Sequence, residues 1–169
     1  MGELGFPRFA TGPMPKAAIL DTNLLILHIS AATDLSLLGR FKRISQFTFE
    51  DVLLLKWILQ EFPRTITTSY ILAEASNLGN SLSGVMRDAW FFQLASYALL
   101  TEEQHIATRA LGSLPETIRF GITDAALSQL SQSIAIITTE RPLSGYLRSL
   151  DRNVVNFFDV KVTARNLFG

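Results

Sequence analysis

The chain contains no cysteine. That excludes a disulfide framework, a thiolate zinc site and a cysteine nucleophile, and it fits a reducing compartment. Histidine is nearly as scarce: His28 and His105 are the only two, neither in a motif, so imidazole acid–base chemistry has little to build on. Net charge is absent as well, with 15 Lys plus Arg against 15 Asp plus Glu. No overall positive field draws in nucleic acid, and any such contact has to use a local patch. Long apolar runs are missing too. The uncharged stretches 89–101 and 125–139 are broken by Gln, Ser or Thr and fall short of the ~20 apolar residues a membrane span needs. Residues 1–16 carry Pro7, Pro13 and Pro15 with Glu3 and Arg8 and no continuous apolar segment. They are expected to form a flexible or wrapping arm, not a signal peptide. With no internal repeat or low-complexity tract either, the expectation is a cytoplasmic protein that does not enter a membrane.

What remains is a core-rich chain of 169 residues, 48% of them hydrophobic, enough for one domain with a proper interior. Ala17 to Leu20 is short, unbroken and apolar, as a buried parallel strand is, and Thr22 to Ile29 reads as the helix that follows it. Residues 30–47 are mixed and hold the tightest basic cluster, Arg40, Lys42 and Arg43, which suits a solvated loop and a phosphate contact about equally. Thr48 is a natural N-cap, with Glu50 and Asp51 complementing the dipole of a helix that runs to Phe62, before Pro63. Arg64 to Thr68 is β-branched and predicts a second strand. Ser69 then opens a helix ending near Gly79, and residues 81–100 predict a long helix. Its Trp90, Phe91, Phe92 and Tyr97 fit a core or a dimer contact better than a base-stacking platform. Residues 101–114 resemble a further helix. Thr123 is a natural N-cap for a helix with Asp124 in its first turn. Ile134 to Ile137 is a buried strand, Pro142 fits the first turn of a helix reaching Leu150, and Val154 to Phe157 supplies a last strand. Alternating strands and helices predict an α/β fold, a three-layer α/β/α sandwich with a central, mostly parallel sheet. The domain is expected to occupy 17–158, with 159–169 a C-terminal tail.

Four acids stand out by position. Asp21 and Glu140 directly follow strands, Asp124 begins a helix, and Glu74 lies in the helix after the second strand. On its own Asp21 is explained as a helix cap. Together, however, the four can face one crevice at the carboxyl edge of the sheet, where ligands bind in open α/β folds. Clustered carboxylates resist joint ionisation unless a cation joins them. Mg²⁺ or Mn²⁺, with their preference for hard oxygen ligands and phosphate oxygens, would resolve that conflict.

The segments carrying these acids are ILDTNLLI around Asp21, TTSYILAEASNL around Glu74, GITDAAL around Asp124 and IITTERPL around Glu140. In this order and context they resemble the PIN domain, a family that includes the VapC-type toxin ribonucleases, over roughly Ala17 to Phe157. The resemblance implies a PIN-like fold and an endoribonuclease dependent on Mg²⁺ or Mn²⁺. It implies Asp21, Glu74 and Asp124 as the core catalytic and metal-binding acids, Glu140 as the fourth, and Asn23, Thr138 and Thr139 as supporting polar residues. It also implies an RNA substrate, a homodimer and, for a toxin, a small antitoxin protein covering the pocket. The family often has Asp where this chain has Glu140, and the longer side chain alters how a second ion would be held.

Two other classes compete. One is a PIN-fold binding or scaffold protein without catalysis. The other is a haloacid-dehalogenase-like phosphatase, whose nucleophilic Asp also follows the first strand. That class usually has a second Asp two positions on, where this chain has Asn23, and no lysine occurs between Lys56 and Lys161 to hold the phosphate. A serine-nucleophile reading fails at Gly79 to Ser83, which lacks the closing glycine of a nucleophile elbow.

Overall fold

The computed structural model describes residues 14–168. Its centre is a five-stranded, all-parallel sheet in the order β3-β2-β1-β4-β5, with β1 at Ala17–Leu20, β2 at Thr65–Thr67, β3 at Glu102–Glu103, β4 at Ile134–Thr138 and β5 at Asn153–Asn156. Both central strands, β1 and β4, are buried along their whole length. This accounts for their unbroken apolar sequences, because a parallel strand covered on both faces has no polar side. Ile19 lies between Ile66 and Ile136 across the sheet, and Leu20 lies opposite Ile137. Helices flank the sheet, so the architecture is the expected α/β/α sandwich.

The first helix, α1 (Thr22–Thr33), buries Leu24 to Leu27, Ile29 and Ser30. It is apolar nearly all round because α2 (Phe49–Gln60), α3 (Ser69–Gly79) and α4 (Gly84–Leu100) all pack on it. Trp90 fills the junction, its indole N–H donating to Ser30 Oγ at 3.1 Å. Gly79 is required there: a Cβ at this position would overlap the Trp90 ring. Trp90 is thus core, whereas Phe92 on the same helix is 69% exposed.

Several expectations change. Residues 101–114 are not one helix. Thr101 turns its N–H and hydroxyl back onto the Tyr97 carbonyl, closing α4, and the chain then adds the two-residue edge strand β3 beside β2 before α5 (Thr108–Gly112). Both β3 residues are exposed acids, so no apolar alternation betrays the strand. After α6 (Pro115–Phe120), Gly121 rather than Thr123 caps α7 (Ile122–Ser128). Gly121 has φ 88, a conformation that suits glycine. Beyond α8 (Arg141–Ser149), residues 159–168 of the expected tail 159–169 belong to a helix, α9 (Phe157–Phe168), and residue 169 lies outside the described residues. Asn156 Oδ1 accepts the N–H groups of Phe158 and Asp159 at its start. The domain therefore extends past 158: Val160 is buried, and Lys161 reaches Asp51 on α2 at 2.8 Å. Of the expected arm 1–16, residues 1–13 lie outside the described residues, while the Lys16 N–H donates to the Ser133 carbonyl at 2.8 Å. Among the described residues no helix is long and apolar enough to cross a membrane.

Candidate functional site

From β1 the strand order runs outward to β2 and β3, then returns across β1 to β4 and β5. The reversal point is the gap between the carboxyl ends of β1 and β4, where connections leave in opposite directions and a crevice opens. Asp21 closes β1, and Thr138, Thr139 and Glu140 close β4.

Asp21 is 3% exposed. Its Oδ1 accepts the Leu24 N–H at 2.8 Å, capping α1, and its Oδ2 accepts the Thr139 N–H at 2.8 Å and the Thr139 hydroxyl at 3.3 Å. The cap is real, and the second oxygen is held by the neighbouring strand's loop. Burial pushes the Asp21 carboxyl up from its ordinary value and the Glu140 charge adds to that, while hydrogen bonds from the Leu24 N–H, Thr138 and the Thr139 N–H oppose it. Thr138 Oγ also accepts the Glu140 N–H at 3.0 Å, which fixes the turn into α8.

Glu74, one turn into α3, accepts the Thr22 hydroxyl on Oε2 at 3.2 Å. Its Oε1 lies 3.7 Å from Nη1 of Arg43, and the same nitrogen donates to Asn23 Oδ1 at 3.3 Å. Asp124 sits half-buried in the first turn of α7. Its carboxyl is pushed up to about 7, first by burial and then by the charges of Asp21, Glu74 and Glu140, with Arg43 opposing. Glu140 stands exposed at the rim as the N-cap residue of α8. Asp21, Glu74 and Glu140 thus all act on Asp124, and Glu140 acts on Asp21 as well, with Asn23, Thr138 and Thr139 bonded at the same loops. The two histidines lie elsewhere in role: His28 packs edge-on to Tyr97, with ring centroids 5.7 Å apart, and His105 is exposed.

Two further residues, which the family resemblance did not name, join the acids. Thr22 binds Glu74, which only the juxtaposition of α1 and α3 reveals. Arg43 arrives on a 3-10 turn, Lys42–Ile44. Its basic cluster is visible in the sequence, but the path that brings it to Glu74 is not.

As a home for Mg²⁺ or Mn²⁺, the donor set fits by type and by charge. It offers carboxylate oxygens in excess of local cations, and that excess adds to burial in raising Asp124 to about 7. Among the described residues, no three His, Cys, Asp or Glu side chains are already gathered tightly enough to hold one ion. Asp21 instead satisfies itself on Leu24 and Thr139, and Glu74 on Thr22 and Arg43. Comparison with known proteins yields no match among family models, curated proteins or solved structures.

Proposed function

We propose that the protein is a divalent-metal-dependent endoribonuclease of the PIN type. The observation that carries this reading is the convergence of four acids on the crevice between β1 and β4, where burial first, and then the charges of Asp21, Glu74 and Glu140, raise Asp124 to about 7. Hydrolysis of a phosphodiester is the chemistry such a cluster serves. A bound divalent cation would lower the pKa of an attacking water and stabilise charge on the phosphoryl oxygens. Asp21, Glu74 and Asp124 are the residues that would hold it, with Glu140 contributing from the rim. Thr139 and the Leu24 N–H fix both oxygens of Asp21, so this carboxylate meets its ligand without having to be ordered first. Thr22 plays the same part for Glu74. Asp124 holds a proton up to about pH 7 and gives it up when a cation replaces it, which links binding to pH. That the polymer is RNA follows from the resemblance of the four motifs to PIN domains.

Partners belong to the same proposal. A small antitoxin with a basic segment would suit the acidic pocket. A homodimer is supported by α4, where Val85, Phe92 and Leu99, seven residues apart, are 87%, 69% and 86% exposed. The scaffold alternative is favoured by one observation, that two of the acids, Asp21 and Glu74, are already engaged with protein donors.

Cleavage of a panel of structured and single-stranded RNAs by the purified protein with Mn²⁺ decides between them. Metal-dependent cleavage lost in Asp21→Asn is the expected result. No cleavage of any member, with Asp21→Asn indistinguishable from wild type, leaves the scaffold reading.

A further inference from the structure

Among the described residues, the only ion pair made to any of the four acids is the one from Arg43 to Glu74. The segment that carries it is anchored: Leu37, Phe41, Ile44 and Phe47 are all buried, at 0%, 5%, 0% and 4% exposure. Between these anchors Arg40, Lys42 and Arg43 all face outward. Three cations are thereby presented on one anchored segment, and Arg43 among them reaches the acidic pocket.

The present contacts of Arg43 are weak. The 3.7 Å approach to Glu74 joins side chains that are 49% and 33% exposed, and the 3.3 Å bond to Asn23 is also exposed. An ion pair of this kind contributes little in water. Nη1 makes both contacts, leaving the other N–H donors of the guanidinium open to solvent. A phosphate presents paired oxygens that match that planar fork with two charge-assisted bonds.

We propose that Arg43 is the phosphate-gripping residue of this site, exchanging Glu74 and Asn23 for an RNA phosphate and releasing Glu74 for the cation. This rests on the ribonuclease reading above. Of the three basic residues on this segment, Arg43 is the one paired with the acids, while Arg40 lies beside Asp34.

The test is fluorescence anisotropy of a labelled 20-nucleotide single-stranded RNA over a KCl series. Ca²⁺ replaces Mn²⁺ to limit turnover, and wild type, Arg43→Ala and Arg43→Lys are compared. Arg43→Ala should weaken binding between about tenfold and a hundredfold, the range for a charge-assisted bond. It should also lower the slope of log affinity against log salt by about 0.7, one single-strand phosphate contact. Arg43→Lys should restore the slope and only part of the affinity. Calorimetry of Mn²⁺ binding to Arg43→Ala should show affinity equal to or tighter than wild type, since a competing cation is gone. Wild-type affinity and slope in Arg43→Ala overturn the proposal. So does an unchanged slope with weakened Mn²⁺ binding, which would mean that Arg43 only positions Glu74. If wild type cleaves RNA while Arg43→Ala behaves identically, this inference alone fails. If wild type neither binds nor cleaves RNA, the ribonuclease reading fails and takes the inference with it.

Discussion

Two aspartates in this fold are almost fully buried, and they are treated differently. Asp51, at 1% exposure, shares the start of α2 with Thr48: its Oδ2 accepts the Thr48 N–H at 2.9 Å, and Lys161 stands 2.8 Å from both of its oxygens. Asp21, at 3% exposure, is itself the N-cap of α1 and accepts the Leu24 N–H. Among the described residues no lysine or arginine pairs with it; in place of a cation it has two further carboxylates, Asp124 and Glu140, for neighbours. A buried carboxylate without a counter-ion is unfavourable. The chain itself supplies the missing charge for Asp51, across 110 residues of sequence. For Asp21 it supplies only N–H and O–H donors. The first arrangement holds a fold together, and the second is what a site for an exogenous cation requires.

The contrast is most sharply tested by exchanging each carboxylate for its amide. Asp21→Asn keeps an oxygen for the Leu24 N–H and removes a charge from a crowded pocket. RNA cleavage with Mn²⁺ should fall by at least about 10³-fold, the loss expected when a charged ligand to the cation is removed. The amide NH₂ then faces the Thr139 N–H that Oδ2 accepted, so the melting temperature in metal-free buffer should fall, but by less than in Asp51→Asn because a crowded charge is also removed. Asp51→Asn should show the opposite balance. It strands Lys161, which is only 19% exposed, and should destabilise the fold by about 3–5 kcal/mol in urea unfolding. Cleavage per folded molecule should be retained. If both variants lose stability alike and cleavage alike, the two aspartates are not different in kind.

Next in size is the effect of the ion on stability. Mn²⁺ at about a hundred times its dissociation constant should stabilise wild type by about 2.7 kcal/mol and leave Asp21→Asn unmoved, as followed by thermal melts. The gain should be greater at pH 8 than at pH 5.5, because the proton that Asp124 holds up to about 7 must leave first.

A smaller effect concerns the metal-free protein. The Asp124 carboxyl is raised from 3.8 to about 7 in the fold. Its contribution to stability is complete below about pH 4 and is lost as pH rises through 7. Urea midpoints should therefore decline between about pH 4 and 7, and the decline should shrink in Asp124→Asn. Smallest of all, Glu140→Gln should slow cleavage by about threefold to tenfold, since an exposed rim charge contributes on the order of 1 kcal/mol.

The central part of this molecule was readable because its physics is local. β1 and β4 are uninterrupted apolar runs, α1 and α3 begin at small polar residues, and Asp21 follows a strand directly. The acids came with those elements. The misread parts depend on pairing across distance. β3 is two exposed acids that form a strand only because β2 offers an edge, with the Gln104 N–H bonded to the Thr67 carbonyl at 2.8 Å. The end of the chain read as a tail since Phe157 continues the apolar run of β5, and the cap that turns it into α9 is the Asn156 side chain. Arg43 shows the same limit at the site. Its charge is plain in the sequence, and its position depends on how Phe41, Ile44 and Phe47 sink into the core.

The most direct measurement of the central claim is a calorimetric titration of the metal-free protein with Mn²⁺ at pH 7, beside Asp21→Asn and Asp51→Asn. Saturable binding below millimolar concentration in wild type and in folded Asp51→Asn, with none in Asp21→Asn, is the result this account predicts. No binding by wild type at millimolar Mn²⁺, or equal binding by Asp21→Asn, would contradict it.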